Sequence, residues 1–373
     1  MNGTEKSSQE NQHINLLIEE SALKGAQRSV RYPGSRFFGY FCSYWPEELV
    51  LAAGMEPLRI LPQTISATPA ELPSFCCTLA RGSLARSLKG QLSDLAGVGF
   101  AHTCDTMQCL GGIWEETAGR EKTLTVVPPV MLAAPGAGRY FRKELEILAQ
   151  RLGDMAGAPL APGDTIGAMA LCDRIRRLVA ELDGLRAKLP SHVVSAIIRA
   201  GQLMPRGTYA KELELALPAL KEMAADPGSR QRVLVSGAVM ESDDLFQMVE
   251  ELGGRVVADD TCTGYRHYTG PPARDGDDPL DAIVRRYTGM APCPCRNRGL
   301  QERMEHLEQM ALERKAGGAV LVIRKYCDPH AWDAVPVSGR LRGLGIKTLV
   351  LELEGSEVGG QERTRLQAFL ESI

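Results

Sequence analysis

Polar and apolar positions over residues 10–30 recur at helical spacing and predict a surface helix that leads into RYPGSR. The run FFGYF at 37–41 then opens a different rhythm. A helix from Pro46 to about Ala53, a short apolar run at 57–61, a helix near 79–96 and the run GVGFAH at 97–102 follow, and after them a helix from about 105 and the run LTVVPPV at 124–130. Short apolar runs alternating with helices are the βαβ pattern of a mostly parallel sheet covered by helices. Residues 139–225 carry apolar positions at helical spacing in long stretches such as RYFRKELEILAQRLGDM and GTYAKELELALPALKEMAA. The strand signal returns with RVLVSG at 232–237, RVVADD at 255–260, AVLVIRK at 319–325 and GIKTLVLELE at 345–354. Helices at SDDLFQMVEELGG and 299–315 lie between these runs, and the Gly-, Pro- and Asp-rich HYTGPPARDGDDP at 267–279 reads as an exposed loop. The expected fold class is therefore α/β, two parallel-sheet domains joined by a helical connector. The boundaries are an N-terminal helix at 1–30, a first α/β domain at 31–138, the connector at 139–228 and a second α/β domain at 229–373.

A chain of 373 residues exceeds the size at which a single core usually stops growing, in keeping with two core-bearing domains. Hydrophobic residues at 44% and charged residues at 24% are ordinary for a globular protein, and a net charge of -3 offers no field to gather nucleic acid or an anionic membrane. The N-terminal stretch has no basic region followed by an apolar core, and no later stretch reaches the roughly 18 uncharged apolar residues of a membrane span. A cytoplasmic protein without a nucleic-acid or membrane partner is expected.

Cysteine carries most of the chemistry. The ten cysteines, at 42, 76, 77, 104, 109, 172, 262, 293, 295 and 327, show none of the compact zinc-ribbon or ferredoxin spacings, so the fold has to assemble any site they build. In a reducing compartment such richness points to metal binding or redox chemistry rather than to disulfides. Cys42, Cys104, Cys262 and Cys327 each follow a predicted strand, and the crevice beyond the carboxyl ends of parallel strands is where open α/β sheets bind ligands. A single one of these could be a small buried hydrophobe, a reading that four coincident placements weaken. Thiolates favour iron–sulfur clusters, zinc or Cu(I). Cys172 lies in the helical pattern GAMALCDRIRRLV and is expected to be structural. The Cys76–Cys77 pair cannot aim both side chains one way in extended chain, whereas Cys293 and Cys295 can.

Several stretches resemble, in order, the signatures of the superfamily of 2-hydroxyacyl-CoA dehydratases, benzoyl-CoA reductases and double-cubane cluster proteins. They are FCSYWPEELVLAAGMEPLRI at 41–60, HTCDTMQ at 102–108, DDTCTG at 259–264, PCP at 292–294, KYCDPHAWD at 325–333 and GQERTRLQAFLE at 360–371. The resemblance spans both halves of the chain. It implies two flavodoxin-like (Rossmann-like) domains, an iron–sulfur cluster held by cysteines at their interface, homodimeric assembly, and electrons supplied by a separate ATP-hydrolysing activator. Consistently, the chain has no G-x-x-x-x-G-K-[ST] loop, and APGAGRY at 134–140 is a poor substitute.

For a dehydratase subunit with one [4Fe-4S] cubane, the resemblance maps three ligands onto Cys77, Cys104 and Cys327. For a double-cubane [8Fe-9S]-type cluster it adds Cys42, Cys262 and Cys293, and all six positions are filled. Cys76, Cys109 and Cys295 are alternates that leave the choice within each pair open. His102 and His330 flank the predicted ligands as candidate proton donors, as hydrogen-bond partners of a cluster, or as structural histidines. No catalytic acid is identified. A low-potential reductase of small molecules is the leading expectation, ahead of a radical lyase subunit that removes water from a CoA thioester and of a non-enzymatic electron-storage or cluster-carrier protein.

Overall fold

The computed structural model describes residues 3–23, 25–62, 67–226, 228–296, 299–355 and 358–373. Helices α1 (Gly3–Ala22) and α2 (Gly25–Arg31) precede strand β1 (Phe37–Tyr40). There follow α3 (Glu47–Ala52), β2 (Glu56–Arg59), α4 (Thr78–Leu88), β3 (Gly97–Ala101), α5 (Asp105–Ala118) and β4 (Thr123–Val126). Four helices come next, α6 (Ala137–Ala156), α7 (Pro162–Gly184), α8 (Ser191–Ala200) and α9 (Arg206–Met223), and then β5 (Gln231–Gly237), α10 (Asp244–Glu251) and β6 (Gly254–Thr261). The chain closes with α11 (Pro279–Thr288), α12 (Leu300–Glu313), β7 (Gly318–Arg324), α13 (Asp328–Gly343), β8 (Lys347–Leu353) and α14 (Gly360–Ser372). No helix among the described residues is long and apolar enough to cross a membrane.

The strands form two four-stranded, all-parallel sheets, ordered β2-β1-β3-β4 and β6-β5-β7-β8. Each sheet belongs to its own compact unit. The N-sheet unit comprises Leu23–Arg174 and Thr269–Glu302, and the C-sheet unit comprises Met1–Ala22, Ile175–Tyr268 and Arg303–Ile373. The helical region thus contributes to both units, and the segment 269–302 returns to the unit of the first sheet.

In the N-sheet unit β1 and β3 are buried along their whole length, as strands covered on both faces must be. Trp45 stacks on Phe38 with ring centroids 5.5 Å apart. A Cβ on Gly99 of β3 would lie 2.4 Å from the Trp45 ring, so this close packing of indole on strand requires glycine. The other face is filled by Phe41, Phe100 and Trp114, which meet edge-on or tilted at 4.9–5.8 Å. Helix α4 stops at Leu88, short of the predicted 96, because Gly90 turns into the left-handed region (φ 69°) and ends the helical path. Helix α11 packs on α6, where Arg142 pairs with Asp278 at 2.5 Å and Asp281 at 2.7 Å. The Tyr287 hydroxyl lies 2.7 Å from the Trp45 carbonyl and accepts the Glu47 N–H at 3.2 Å.

The C-sheet unit follows the period of two expected of buried strands. Val233, Val235, Val320 and Val322 face α10 and α14 through Phe246, Val249, Leu366 and Phe369. Leu234, Ala319, Leu321 and Ile323 face α12 and α13 through Leu307, Ala311, Val337 and Leu341. The predicted loop at 267–279 differs at its start, where His267 and Tyr268 are buried in a single tight turn. The Tyr268 hydroxyl donates to the Ile198 carbonyl at 2.9 Å and sits with the Tyr209 ring against Gly201, so the aromatic payload outweighs the polar pattern around it.

Candidate functional site: strand-end thiols

In both sheets the cysteines stand at the carboxyl ends of the strands. Cys42 follows β1 and Cys262 directly follows β6, while Cys104 and Cys327 are the N-cap residues of α5 and α13, the helices that leave β3 and β7. Cys77 is the N-cap of α4, after β2. Three of the predicted ligands, Cys77, Cys104 and Cys327, therefore occupy helix N-termini, where the backbone amides favour negative charge on sulfur.

The N-sheet unit gathers Cys42, Cys77, Cys104, Cys293 and Cys295. The Cys42 sulfur accepts from the Thr103 hydroxyl and from the Tyr44 N–H, each at 3.5 Å. Cys293 and Arg296 form an isolated bridge that folds 293–296 into a tight turn, with the Arg296 N–H donating to the Cys293 sulfur at 3.3 Å. The Arg296 side chain reaches the loop that carries Cys104, donating to the Thr103 carbonyl at 3.0 Å and to the His102 carbonyl. Burial pushes the Cys104 thiol up to about 12, and the neighbouring Cys77 and Cys42 add to the rise against the amides of Met107 and Thr106. Cys295 is pushed well above the ordinary thiol range by its hydrogen bond with Cys293 and by burial, with Cys104 and Cys42 adding to it. Burial, with Cys77 and Cys109 beside it, also raises Cys76. Cys109 is exposed on α5, and Cys172 is buried in α7, where the sequence pattern placed it.

The C-sheet unit holds Cys262 and Cys327, which flank the end of the central strand β5 from β6 and β7. Arg266 lies 3.5 Å from the Cys262 sulfur and donates to the Gly237 carbonyl at 2.5 Å. His330 Nδ1 stands 3.3 Å from the Cys327 sulfur. Burial drives this imidazole down to about 3, with Arg266 and Arg303 adding to the effect, so it is neutral at working pH. His102 in the other unit is also lowered, by burial and by Arg296 against the opposing Glu144. Tyr326, immediately before Cys327, adopts a left-handed conformation (φ 65°), a costly one for a non-glycine residue, and so turns the chain sharply from strand to helix.

Beneath Cys262 lies an ion network that the sequence reading did not identify. Asp260 is fully buried and takes the Ser236 hydroxyl at 2.7 Å, Arg303 at 2.8 Å, His306 at 3.4 Å and Arg266 at 3.8 Å. Burial alone would raise its pKa, but Arg266 and Arg303 overcome that and hold the carboxyl well below its usual range. The neighbouring Asp259 pairs with buried Arg186 at 3.3 Å. Two adjacent acids at the end of the strand RVVADD were the available signal, since a buried strand tolerates a carboxylate only when it is paired. Arg296, directly after the PCPC doublet, was likewise passed over.

Among the described residues no three donors converge as the ligands of one ion do. The thiols instead spread along strand ends. In the N-sheet unit Cys104 and Cys295 are desolvated and crowded by neighbouring thiols, so that these two resist ionising. A bound polycationic iron core would reverse that balance by pairing with the thiolates, and a cluster of several irons spaces its ligands more widely than one ion does. The donor set therefore fits an iron–sulfur cluster.

Residues 42–373 match the family described as 2-hydroxyglutaryl-CoA dehydratase, D-component. The chain is 23% identical to the (R)-phenyllactyl-CoA dehydratase beta subunit of Clostridium sporogenes, over 95% of this chain and 96% of that protein. It is 26% identical to the lactoyl-CoA dehydratase subunit beta of Anaerotignum propionicum, over 91% and 92%. One of the subunits of benzoyl-CoA reductase from Thauera aromatica is 22% identical over 80% of each chain.

Proposed function

The chain belongs to the 2-hydroxyglutaryl-CoA dehydratase D-component family, and from that premise we propose that it is a cytoplasmic iron–sulfur enzyme that reduces small molecules at low potential. In this reading Cys42, Cys77, Cys104, Cys262, Cys293 and Cys327 hold a double-cubane [8Fe-9S]-type cluster, the protein works as a homodimer, and a separate ATP-hydrolysing activator supplies the electrons. The observation that carries the reading is that Cys42 and Cys295 crowd Cys104 in the N-sheet unit, with Cys293 hydrogen-bonded to Cys295, thiols that a three-cysteine cubane does not need. When bound, the cluster supplies one-electron chemistry whose potential responds to hydrogen bonds and charge around its sulfurs. The chain's own groups are placed for that adjustment. Thr103 and the Tyr44 N–H donate to Cys42, Arg266 sets a positive charge beside Cys262, and the neutral His330 holds its Nδ1 against Cys327.

A second reading, the [4Fe-4S] subunit of a 2-hydroxyacyl-CoA dehydratase, is favoured by the names of the relatives and by the shared helix N-cap position of Cys77, Cys104 and Cys327. Iron and sulfide analysis after anaerobic purification separates the two, at about eight against about four iron atoms per chain. In the first case Cys42→Ser loses about half of the iron, because one cubane is left without its full ligand set. Wild-type iron near four, unchanged by Cys42→Ser, would sink the double cubane.

A further inference from the structure

Arg296 is 6% exposed, and a buried guanidinium needs acceptors that justify its desolvation. Its acceptors are main-chain carbonyls of two different segments. One terminal nitrogen donates to the Thr103 carbonyl at 3.0 Å and to the Cys295 carbonyl at 2.7 Å, and the other donates to the His102 carbonyl. Its own backbone closes the turn, through the N–H to the Cys293 sulfur at 3.3 Å and through the carbonyl, which takes the Cys293 N–H at 3.0 Å. The Tyr44 hydroxyl, two residues beyond Cys42, reaches the same carbonyl at 3.5 Å. These bonds join the segment after β1, the segment after β3 and the 293–296 turn, and each of those segments carries a predicted ligand. The turn would otherwise be short, rich in Pro and Cys, and remote in sequence from both partners. The Nε–H of Arg296 is buried with no acceptor among the described residues, which leaves one donor over for a bound group.

We propose that Arg296 is a positioning residue that clamps the Cys293–Cys295 turn onto the Cys104 loop and so presents the thiols of the N-sheet unit as one set. The clamp is planar and three-pronged, so lysine preserves the charge and loses the geometry. The inference rests on the cluster reading for its purpose, and its test is chosen to be independent of that reading.

The experiment compares Arg296→Lys and Arg296→Gln with the native full-length chain. Cluster-free protein is treated with iodoacetamide, and the modification rate is read at each cysteine by peptide mass spectrometry. Cys293 and Cys295 are expected to react about tenfold faster in Arg296→Gln, with a smaller gain in Arg296→Lys, through local opening of the turn. Cys262 and Cys327, in the C-sheet unit, serve as the internal reference and keep their native rates. In anaerobically purified protein the same variants lose iron and sulfide in the same order, and the cluster that remains shows an altered electron paramagnetic resonance signature. Native rates at Cys293 and Cys295 in both variants would overturn the proposal. So would equal acceleration at all four thiols, which marks a merely structural residue. If Arg296→Gln fails to fold, Arg296→Lys decides by the same criteria. Selective acceleration in a chain whose native form holds no iron would support the clamp while refuting the cluster, and full native iron with unaltered variants would do the reverse.

Discussion

The two units share one topology and stabilise it by different chemistry. Both sheets place their first strand second and their third strand next to it, in the orders β2-β1-β3-β4 and β6-β5-β7-β8. Corresponding positions carry corresponding residues. Cys104 and Cys327 are the N-caps of the helices after the third strand of each sheet, while after the second strand Cys262 follows β6 directly and Cys77 comes only at the N-cap of α4. At the first strand the units part, since the second residue past β1 is Cys42 and the second past β5 is Val239. Under the strand ends the contrast is sharper. The N-sheet unit rests on stacked aromatic rings, and the C-sheet unit on Asp260 and its cations. The topology offers strand-end positions wherever it occurs, whereas the side chains beneath decide what those positions can hold.

The comparison breaks most visibly if the two N-cap thiols prove unequal. Cys104→Ser and Cys327→Ser are each expected to abolish cluster binding, read as iron per chain, since both stand at the strand-end position where parallel sheets bind ligands. Full iron in either variant would remove that cysteine from the ligand set. Next in size is Asp260→Ala, which takes from Arg303 and Arg266 their shared buried carboxylate, leaves Arg303 with Asp333 and Arg266 with the Gly237 carbonyl, and is expected to cost about 3 kcal/mol, read as a fall in the denaturant midpoint. A loss near zero would show that water reaches the network.

Charge state gives a third test, confined to the N-sheet unit. With its thiol held at about 12, Cys104 in cluster-free protein should react with iodoacetamide more slowly than exposed Cys109 at pH 8, by about two orders of magnitude or more. Because a raised pKa means a missing thiolate, the gap must narrow as pH climbs toward that value. A pH-independent gap would assign the slowness to access alone. The smallest effect is expected for Cys172→Ser, which should keep all its iron and lose about 1 kcal/mol for a hydroxyl placed in the buried face of α7.

Local pattern carried the sheets well. The buried runs from Phe37, Gly97, Arg232 and Ala319 are strands, and the cysteines behind them stand at strand ends. Those features are legible because periodicity and strand-end position are properties of a few neighbouring residues. The path of the chain between units is not of that kind. Helix α11 returns to the first sheet through Tyr287 and Trp45, a contact between residues 242 positions apart that no local signal announces. Arg296 and Asp260 were missed for a related reason. An arginine or an aspartate reads as surface until its buried partners, distant in sequence, are known.

The discontinuity of the N-sheet unit also bears on how the protein is made. A ribosome releases β1–β4 first, yet α11 and the Cys293 turn emerge only after the whole of Ile175–Tyr268 has been synthesised. At roughly 5–20 residues per second that interval lasts on the order of five to twenty seconds, during which Trp45, Phe141 and their neighbours lack the cover of Tyr287 and Ile283. The C-sheet unit waits longer still, because it begins with α1 and ends with α14. Neither unit can be excised as one continuous fragment, and the thiols of the N-sheet unit come together only after Cys293 and Cys295 have emerged behind the intervening Ile175–Tyr268.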